Sequence, residues 1–279
     1  MKNPKVAIFG TAGSFHYLAA QKYYGKDADL LECATFLKVA DALKTGDAKY
    51  AVLAIENSLA GSILPNYNLI NQYKLKIIGE QYLKIELNLL ALKGVKIKDI
   101  EFVHSHPMAL AQCTVFLNKY PHIKIVEQGD TASCVKNIAD KQLRNTAAVA
   151  NEFSSKLYNV PILDKGIENN KFNFTRFLIL TKADETPKNT DKASICFRLK
   201  HKVGSLSDVL NIIKEEKLNL SKIQSVPVYG EPRQYFFHLD VEWKKKDYEH
   251  FKKAMAKINK ETNDFSVLGE YVKANLPEQ

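Results

Sequence analysis

Cysteine is scarce and scattered in this chain. Its four cysteines, Cys33, Cys113, Cys134 and Cys196, lie far apart among 279 residues, and none forms a Cys-x-x-Cys pair. That spacing speaks against a zinc site or a disulfide framework and predicts a reducing compartment. Long apolar runs are also lacking: none reaches the roughly 18 residues of a membrane helix, so no membrane partner is expected. Met1-Lys2-Asn3-Pro4 leads straight into a strand-like segment without the charged-then-apolar pattern of a secretory signal. A cytoplasmic protein is the expectation. No low-complexity tract or short-period repeat is visible.

A clustered charge is missing too. The net charge is +9, but the stretch from Lys192 onward holds about half of the surplus, and the longest basic run is Lys244-Lys245-Lys246. A nucleic-acid interface predicts concentrated Lys/Arg interleaved with aromatics, so no nucleic-acid partner is expected. Spread positive charge instead describes a solvated surface that attracts small anions. With 46% hydrophobic and 25% charged residues, the composition is that of a globular protein, and the length fits two domains.

The first two-thirds alternates strands and helices. Val6–Phe9 and Tyr50–Ile55 read as buried strands, with helices over about 16–24 and 36–44. Leu83–Leu92, Phe102–His104, Ile123–Val126, Ala147–Ala150 and Phe177–Leu180 read as further strands. Ser105 is a candidate N-cap with Pro107 in the first turn, and Asp130 is a candidate cap for a helix through Ala139. Strand–helix–strand order implies a parallel sheet. The polar stretch 182–192 reads as a linker. Beyond it the order is β-α-β-β-α-β, the ferredoxin-like arrangement.

Four segments place small or polar residues where a strand ends, the edge at which open α/β sheets bind ligands. In Gly10-Thr11-Ala12-Gly13-Ser14-Phe15-His16, two glycines and two hydroxyls precede a helix. This is either a bare turn or a loop whose N–H groups receive a carboxylate or phosphate. Glu56-Asn57-Ser58-Leu59-Ala60-Gly61-Ser62 offers a helix cap or a site, and the density of polar groups favours the site. His104-Ser105-His106-Pro107, continuing to Gln112-Cys113, has two histidines but no further ligand pair, so a capped helix start with one ligand-facing histidine is preferred to a metal. Asn173-Phe174-Thr175-Arg176-Phe177 feeds an arginine into an apolar strand. Its partner is either a substrate carboxylate or a structural one such as Glu56.

These segments, in this order, resemble the prephenate dehydratase family. Its pattern is Gly-x-x-Gly-Thr/Ser-Phe, Ile-Glu-Asn-Ser/Thr-x-x-Gly-Ser, Ser-His-Pro-x-Ala-Leu-x-Gln-Cys and Asn-x-Thr-Arg-Phe, matched here between residues 5 and 181. The tail is similar to an ACT domain, the regulatory module of many enzymes of amino-acid biosynthesis. The resemblance implies an α/β fold: a two-lobed catalytic part like a type II periplasmic binding protein, with a ferredoxin-like ACT domain. On that basis 1–182 is catalytic (lobe one about 1–79 and 170–182, lobe two about 80–169), 183–191 is linker, and 192–279 is regulatory. The implied reaction is the decarboxylating dehydration of prephenate to phenylpyruvate, without cofactor or metal.

By resemblance Thr175 donates a hydrogen bond to the departing hydroxyl. His106 is a second candidate acid, and Glu56 orients Arg176 or a substrate group. Substrate binding falls to Ser14, Phe15, Asn57, Ser58, Gly61, Ser62, Ser105, Gln112, Asn173, Arg176 and Phe177. Phenylalanine, the implied effector, is expected at Val203, Gly204, Ser205, Leu206, Gln224 and Ser225. Here Gln224-Ser225-Val226-Pro227 stands where the family has Glu-Ser-Arg-Pro, so both charged residues are replaced. The resemblance further implies a homodimer or homotetramer. Arogenate, the amino analogue, is an alternative substrate. A non-catalytic sensor with the same cleft is an alternative of another class, which the intact Thr175-Arg176-Phe177 argues against.

Overall fold

The structure is a computed structural model, and it describes residues 4–276. The extreme ends of the two expected domains, 1–3 and 277–279, lie outside the described residues. In chain order the elements begin with β1 (Val6–Phe9), α1 (Phe15–Tyr24), β2 (Leu30–Cys33), α2 (Phe36–Thr45), β3 (Tyr50–Asn57), β4 (Gly61–Ser62), α3 (Leu64–Tyr73) and β5 (Lys76–Lys84). Next come β6 (Asn88–Leu90), β7 (Phe102–Ser105), α4 (Pro107–Ala111), α5 (Thr114–Leu117), β8 (Lys124–Glu127), α6 (Thr131–Lys141), β9 (Thr146–Ala150), α7 (Glu152–Tyr158), β10 (Ile162–Asp164) and β11 (Phe174–Thr181). The C-terminal series is β12 (Lys192–Leu199), α8 (Ser205–Glu215), β13 (Asn219–Pro227), β14 (Tyr235–Glu242), α9 (Tyr248–Glu261) and β15 (Thr262–Tyr271).

Three sheets result. The first has the order β2-β1-β3-β11-β5, with β4 beside β3; the second is β10-β6-β9-β7-β8; the third is β13-β14-β12-β15. β1 lies parallel between β2 and β3, and β7 lies parallel between β8 and β9. This is the two-lobed α/β arrangement. Strands covered on both faces need apolar residues throughout, which is why Ala51–Ile55 of β3 and all of β9 are buried. Helices start where the side chains cap them. Ser14 accepts from Tyr17 N at 3.2 Å, Asp130 from Ser133 N at 2.9 Å and Asn151 from Ser154 N at 2.8 Å.

Two expectations need correction. Leu83–Leu92 is not one strand but the junction of β5 and β6. Between them Ile85 N donates to Asn173 O at 2.7 Å and Leu87 N to Glu168 Oε2 at 2.9 Å, so this apolar stretch is the outgoing crossover, satisfied by the returning one. The cap of α4 is His106 rather than Ser105: its Nδ1 accepts from Met108 N at 3.2 Å. Ser105 is the last residue of β7 and turns its hydroxyl onto Val149 O at 2.6 Å.

By internal contacts the chain forms two compact units. One is built from the residues up to Gly61 and Gln81–Phe177, the other from Ser62–Glu80 and Leu178–Asn275. The second unit contains the third sheet, an antiparallel βαββαβ of ferredoxin-like order. One face of it packs Ala193, Ile195, Phe197, Leu239 and Val241 against Val209 and Ile213 of α8 and Phe251, Ala254 and Ile258 of α9. Burying Phe197 and Phe251 contributes about 2 kcal/mol each. No described helix is long and apolar enough to cross a membrane.

Candidate active site

Part of the candidate site comes together at the C-terminal end of β3, where β11 enters. Asn57 is the hub. Its Oδ1 accepts from the backbone N–H groups of Leu59 at 3.0 Å and Ala60 at 2.9 Å, an Asx turn that fixes which way the amide faces. Nδ2 must therefore face β11, where it meets Asn173 Oδ1 at 2.7 Å, Phe174 O at 3.1 Å and Thr175 Oγ1 at 3.0 Å. Asn173 Nδ2 donates to Gln112 Oε1 at 2.8 Å, and Gln112 Nε2 donates back to Asn57 Oδ1 at 3.1 Å. Three buried amides thus close a ring in which each donates to the next. Hydrogen bonds in series polarise one another, so the ring holds Thr175 in one orientation. Gln112 ends α4, on the side of the second sheet, so the ring also spans both lobes.

Arg176 follows Thr175. It is almost fully buried and pairs through Nη1 with Glu56 Oε1 at 3.4 Å. A buried guanidinium needs such a counter-charge. The structural pairing considered from the sequence is therefore present. Ser58 ties the two strands: Oγ donates to Phe172 O at 3.0 Å and accepts from Phe174 N at 2.9 Å. Gly61 holds a φ of +79°, which a side chain would resist.

Other expected residues sit apart from this ring. Ser14 spends its hydroxyl on the fold, donating to Phe9 O at 3.3 Å while capping α1. Phe15 packs on the apolar core of the second lobe. Phe177 is core, with its ring 5.0 Å from that of His16. Ser62 accepts from Lys222 Nζ at 3.2 Å. Three N–H groups of the glycine loop are already engaged. Ala12 N already donates to Glu32 Oε1 at 2.7 Å, Gly10 N to Cys33 O and Ser14 N to Thr11 O.

His106 is half-buried. Burial pushes its pKa down against the opposing pull of Asp130 and Glu127, so the ring is neutral at pH 7. Since Nδ1 accepts from Met108 N, the ring proton sits on Nε2, which is a neutral donor rather than a strong acid. Burial also lowers the pKa of His104. His16, deeply buried, is lowered to about 3 by desolvation and by His106; its Nε2 accepts from Ala54 N at 3.1 Å. Among the described residues no group of three or more His, Cys, Asp or Glu is placed to hold a metal.

Three residues were missed from the sequence. Asn151 Nδ2 and Ser154 Oγ donate to Gly13 O at 2.8 and 3.0 Å, and Tyr158 OH donates to Ala12 O at 2.6 Å. They pin the glycine loop to α7. The signal was available, because Asn151 is a polar residue directly following the buried strand β9, the same pattern as the other four segments.

Comparison with known proteins decides the family. The family described as "PDT: Prephenate dehydratase" matches residues 6–185. The chain belongs to the prephenate dehydratase family. It is 34% identical over 279 residues to a bifunctional chorismate mutase/prephenate dehydratase of Aquifex aeolicus, covering 99% of this chain and 76% of that one. Among solved structures, a prephenate dehydratase from Arthrobacter aurescens in complex with L-Phe has a TM-score of 0.86 at 25% identity, covering 96% of this chain and 89% of that one. GqqA, described as a quorum quenching acylase, has a TM-score of 0.84 at 26% identity, covering 97% and 98%. One fold thus carries two differently described activities, so the reaction must be argued from the site.

Proposed function

We propose that the protein converts prephenate to phenylpyruvate on the route to L-phenylalanine, with L-phenylalanine as effector through the ferredoxin-like domain. The observation that carries the reading is the amide ring that holds the Thr175 hydroxyl, one residue before the buried Arg176 that pairs with Glu56.

Prephenate has a carboxylate and a pyruvyl arm on one ring carbon and a hydroxyl on the opposite carbon. Breaking the carboxylate's C–C bond releases carbon dioxide, and that electron pair expels the hydroxide as the ring becomes aromatic. The chemistry requires no metal or redox cofactor. The protein's tasks are to hold two carboxylates and ease the departure of the hydroxyl. The planar fork of Arg176 suits a carboxylate, with Glu56 keeping it oriented. Thr175 Oγ1 accepts from Asn57, which directs its own proton away from the ring and toward the leaving oxygen. That hydrogen bond spreads the charge of the departing hydroxide. His106 Nε2–H is a second neutral donor. Asn57, Ser58, Gln112 and Asn173 shape the site around Thr175, while Ser14, Phe15, Ser105 and Phe177 support it from the fold; Gly61 and Ser62 continue the substrate segment.

The domains follow: 1–182 catalytic, 183–191 linker, and 192–279 sensing, with phenylalanine held near Val203–Leu206 and Gln224–Ser225. Gly204 supports this, since its φ of +81° and open surroundings leave the backbone accessible at the start of α8. The protein works in the cytoplasm as a homodimer or homotetramer. Four buried thiols, none in a disulfide, fit a reducing compartment.

Purified protein should form phenylpyruvate from prephenate, and phenylalanine should suppress it. Thr175→Ala should lower kcat by about 10²-fold with KM little changed. Undiminished turnover in that variant removes Thr175 from the mechanism. Faster turnover of arogenate than of prephenate would reassign the substrate.

A further inference from the structure

The face of the third sheet turned away from its helices is polar yet buried. It carries Lys192, Ser194 and Cys196 of β12, His238 and Asp240 of β14, and Tyr271 of β15. The segment Ser62–Glu80, which is α3 with the first half of β5, is bound to this sheet at several points. Asn71 Nδ2 lies 3.1 Å from His238 Nε2, and the Tyr67 ring meets the same histidine edge-on at 4.8 Å. Lys192 Nζ reaches Glu80 at 3.1 and 3.2 Å. A Cβ on Gly269 would collide with Ile77 O, so backbone packs against backbone there.

The same segment begins within the expected substrate motif. Ser62 is only five residues past Asn57, and its Oγ accepts from Lys222 Nζ at 3.2 Å. Lys222 stands opposite Asp240 on β14, and Gln224 stands opposite His238. Residues directly opposite one another share a face, so Lys222 and Gln224 lie on the same face, one pleat apart. An ammonium has donors only. By donating to Ser62 it fixes that oxygen and leaves the hydroxyl proton to point elsewhere, which makes Ser62 a better donor to an anion.

We propose that Lys222 is a positioning residue for the substrate site, acting through Ser62, and that it carries effector occupancy at Gln224–Ser225 to substrate binding. A ligand that moves Gln224 moves Lys222 on the same strand. The Ser62 hydroxyl is then released or realigned. This rests on the reading that 55–62 binds prephenate and that 224–225 lines the effector site.

The test compares the full-length protein with Lys222→Met and Lys222→Arg. Met keeps the aliphatic stem and removes the donor. The expected result is a KM for prephenate raised about tenfold, as for loss of one charge-assisted hydrogen bond, with kcat within about twofold. Suppression by phenylalanine should be largely lost, and Arg should restore both properties. Hydrogen exchange of amides in 57–64 should be faster in the Met variant and, in the wild type, should respond to phenylalanine. Wild-type KM, wild-type suppression and unchanged exchange in the Met variant would together overturn the proposal. If the wild-type protein does not convert prephenate at all, the enzyme reading fails instead, and exchange at 57–64 still decides the role of Lys222.

Discussion

Replacing Gln112 with Leu tests the amide ring at the point where its removal leaves the clearest trace. The change keeps the volume and removes both ring contacts of the side chain. Asn57 Oδ1 keeps its two backbone donors, and Asn57 Nδ2 keeps Thr175, so the hub survives. Asn173 Nδ2 loses the acceptor it reached at 2.8 Å, in a site from which water is excluded. One orphaned buried donor costs about 1–3 kcal/mol, which for a domain of this size lowers Tm by roughly 2–10 °C. The loss in turnover is separate. Without Gln112 two of the three ring links are lost and Asn173 is unanchored, so the polarisation that strengthens the Asn57–Thr175 bond is weakened and Thr175 samples more than one rotamer. A misdirected hydroxyl should cost kcat about tenfold or more, with KM within about threefold, because the effect falls on the transition state rather than on binding. Thermal unfolding and initial rates of phenylpyruvate formation measure the two effects. A variant with lowered Tm but kcat within twofold of wild type would refute a catalytic purpose for the ring and leave it as a lobe-to-lobe fastening.

Other consequences can be checked directly. Gly269→Ala places a methyl group on the Ile77 carbonyl, a backbone clash that no rotamer relieves; the third sheet should unfold at markedly lower temperature, and an unchanged Tm would mean that Ile77 is not held there. Acid should weaken the fold before carboxylates titrate. His16 and His238 have folded pKa values lowered to about 3 and about 4, chiefly by burial. The unfolded chain therefore binds more protons below pH 6.5, and the stability each neutral ring contributes is lost as pH falls from 6.5 toward the folded values. Between pH 7 and 5 the loss is about 2 kcal/mol per histidine. A Tm that stays level over that interval would contradict the burial of both rings.

The polar segments of the candidate site were legible because their pattern is local. A loop that must end a buried strand and present polar groups is written in consecutive residues, so the segments around Asn57, Gln112 and Thr175 stand out without knowledge of their neighbours. The alternation of strands and helices and the ferredoxin-like tail were readable for the same reason, since apolar period and capping residues are properties of short windows. Asp130 and the start of α6 illustrate this.

Tertiary structure alone decided what pairs with what. No spacing in the sequence joins Asn57 to Gln112 and Asn173 in one ring, because the three lie on segments brought together by crossovers. The apolar stretch Leu83–Leu92 has the composition of one strand, yet it breaks where the chain passes from one sheet to the other. Ser105 and His106 both look like caps, and only packing sends the serine to Val149 and leaves the cap to the histidine. Likewise, whether Ser62 meets a substrate or Lys222 depends on residues 160 positions apart. Local propensity sets which elements form; hydrogen-bond partners inside a low-dielectric interior are set by which elements end up adjacent, and a polar group there takes the partner it is given.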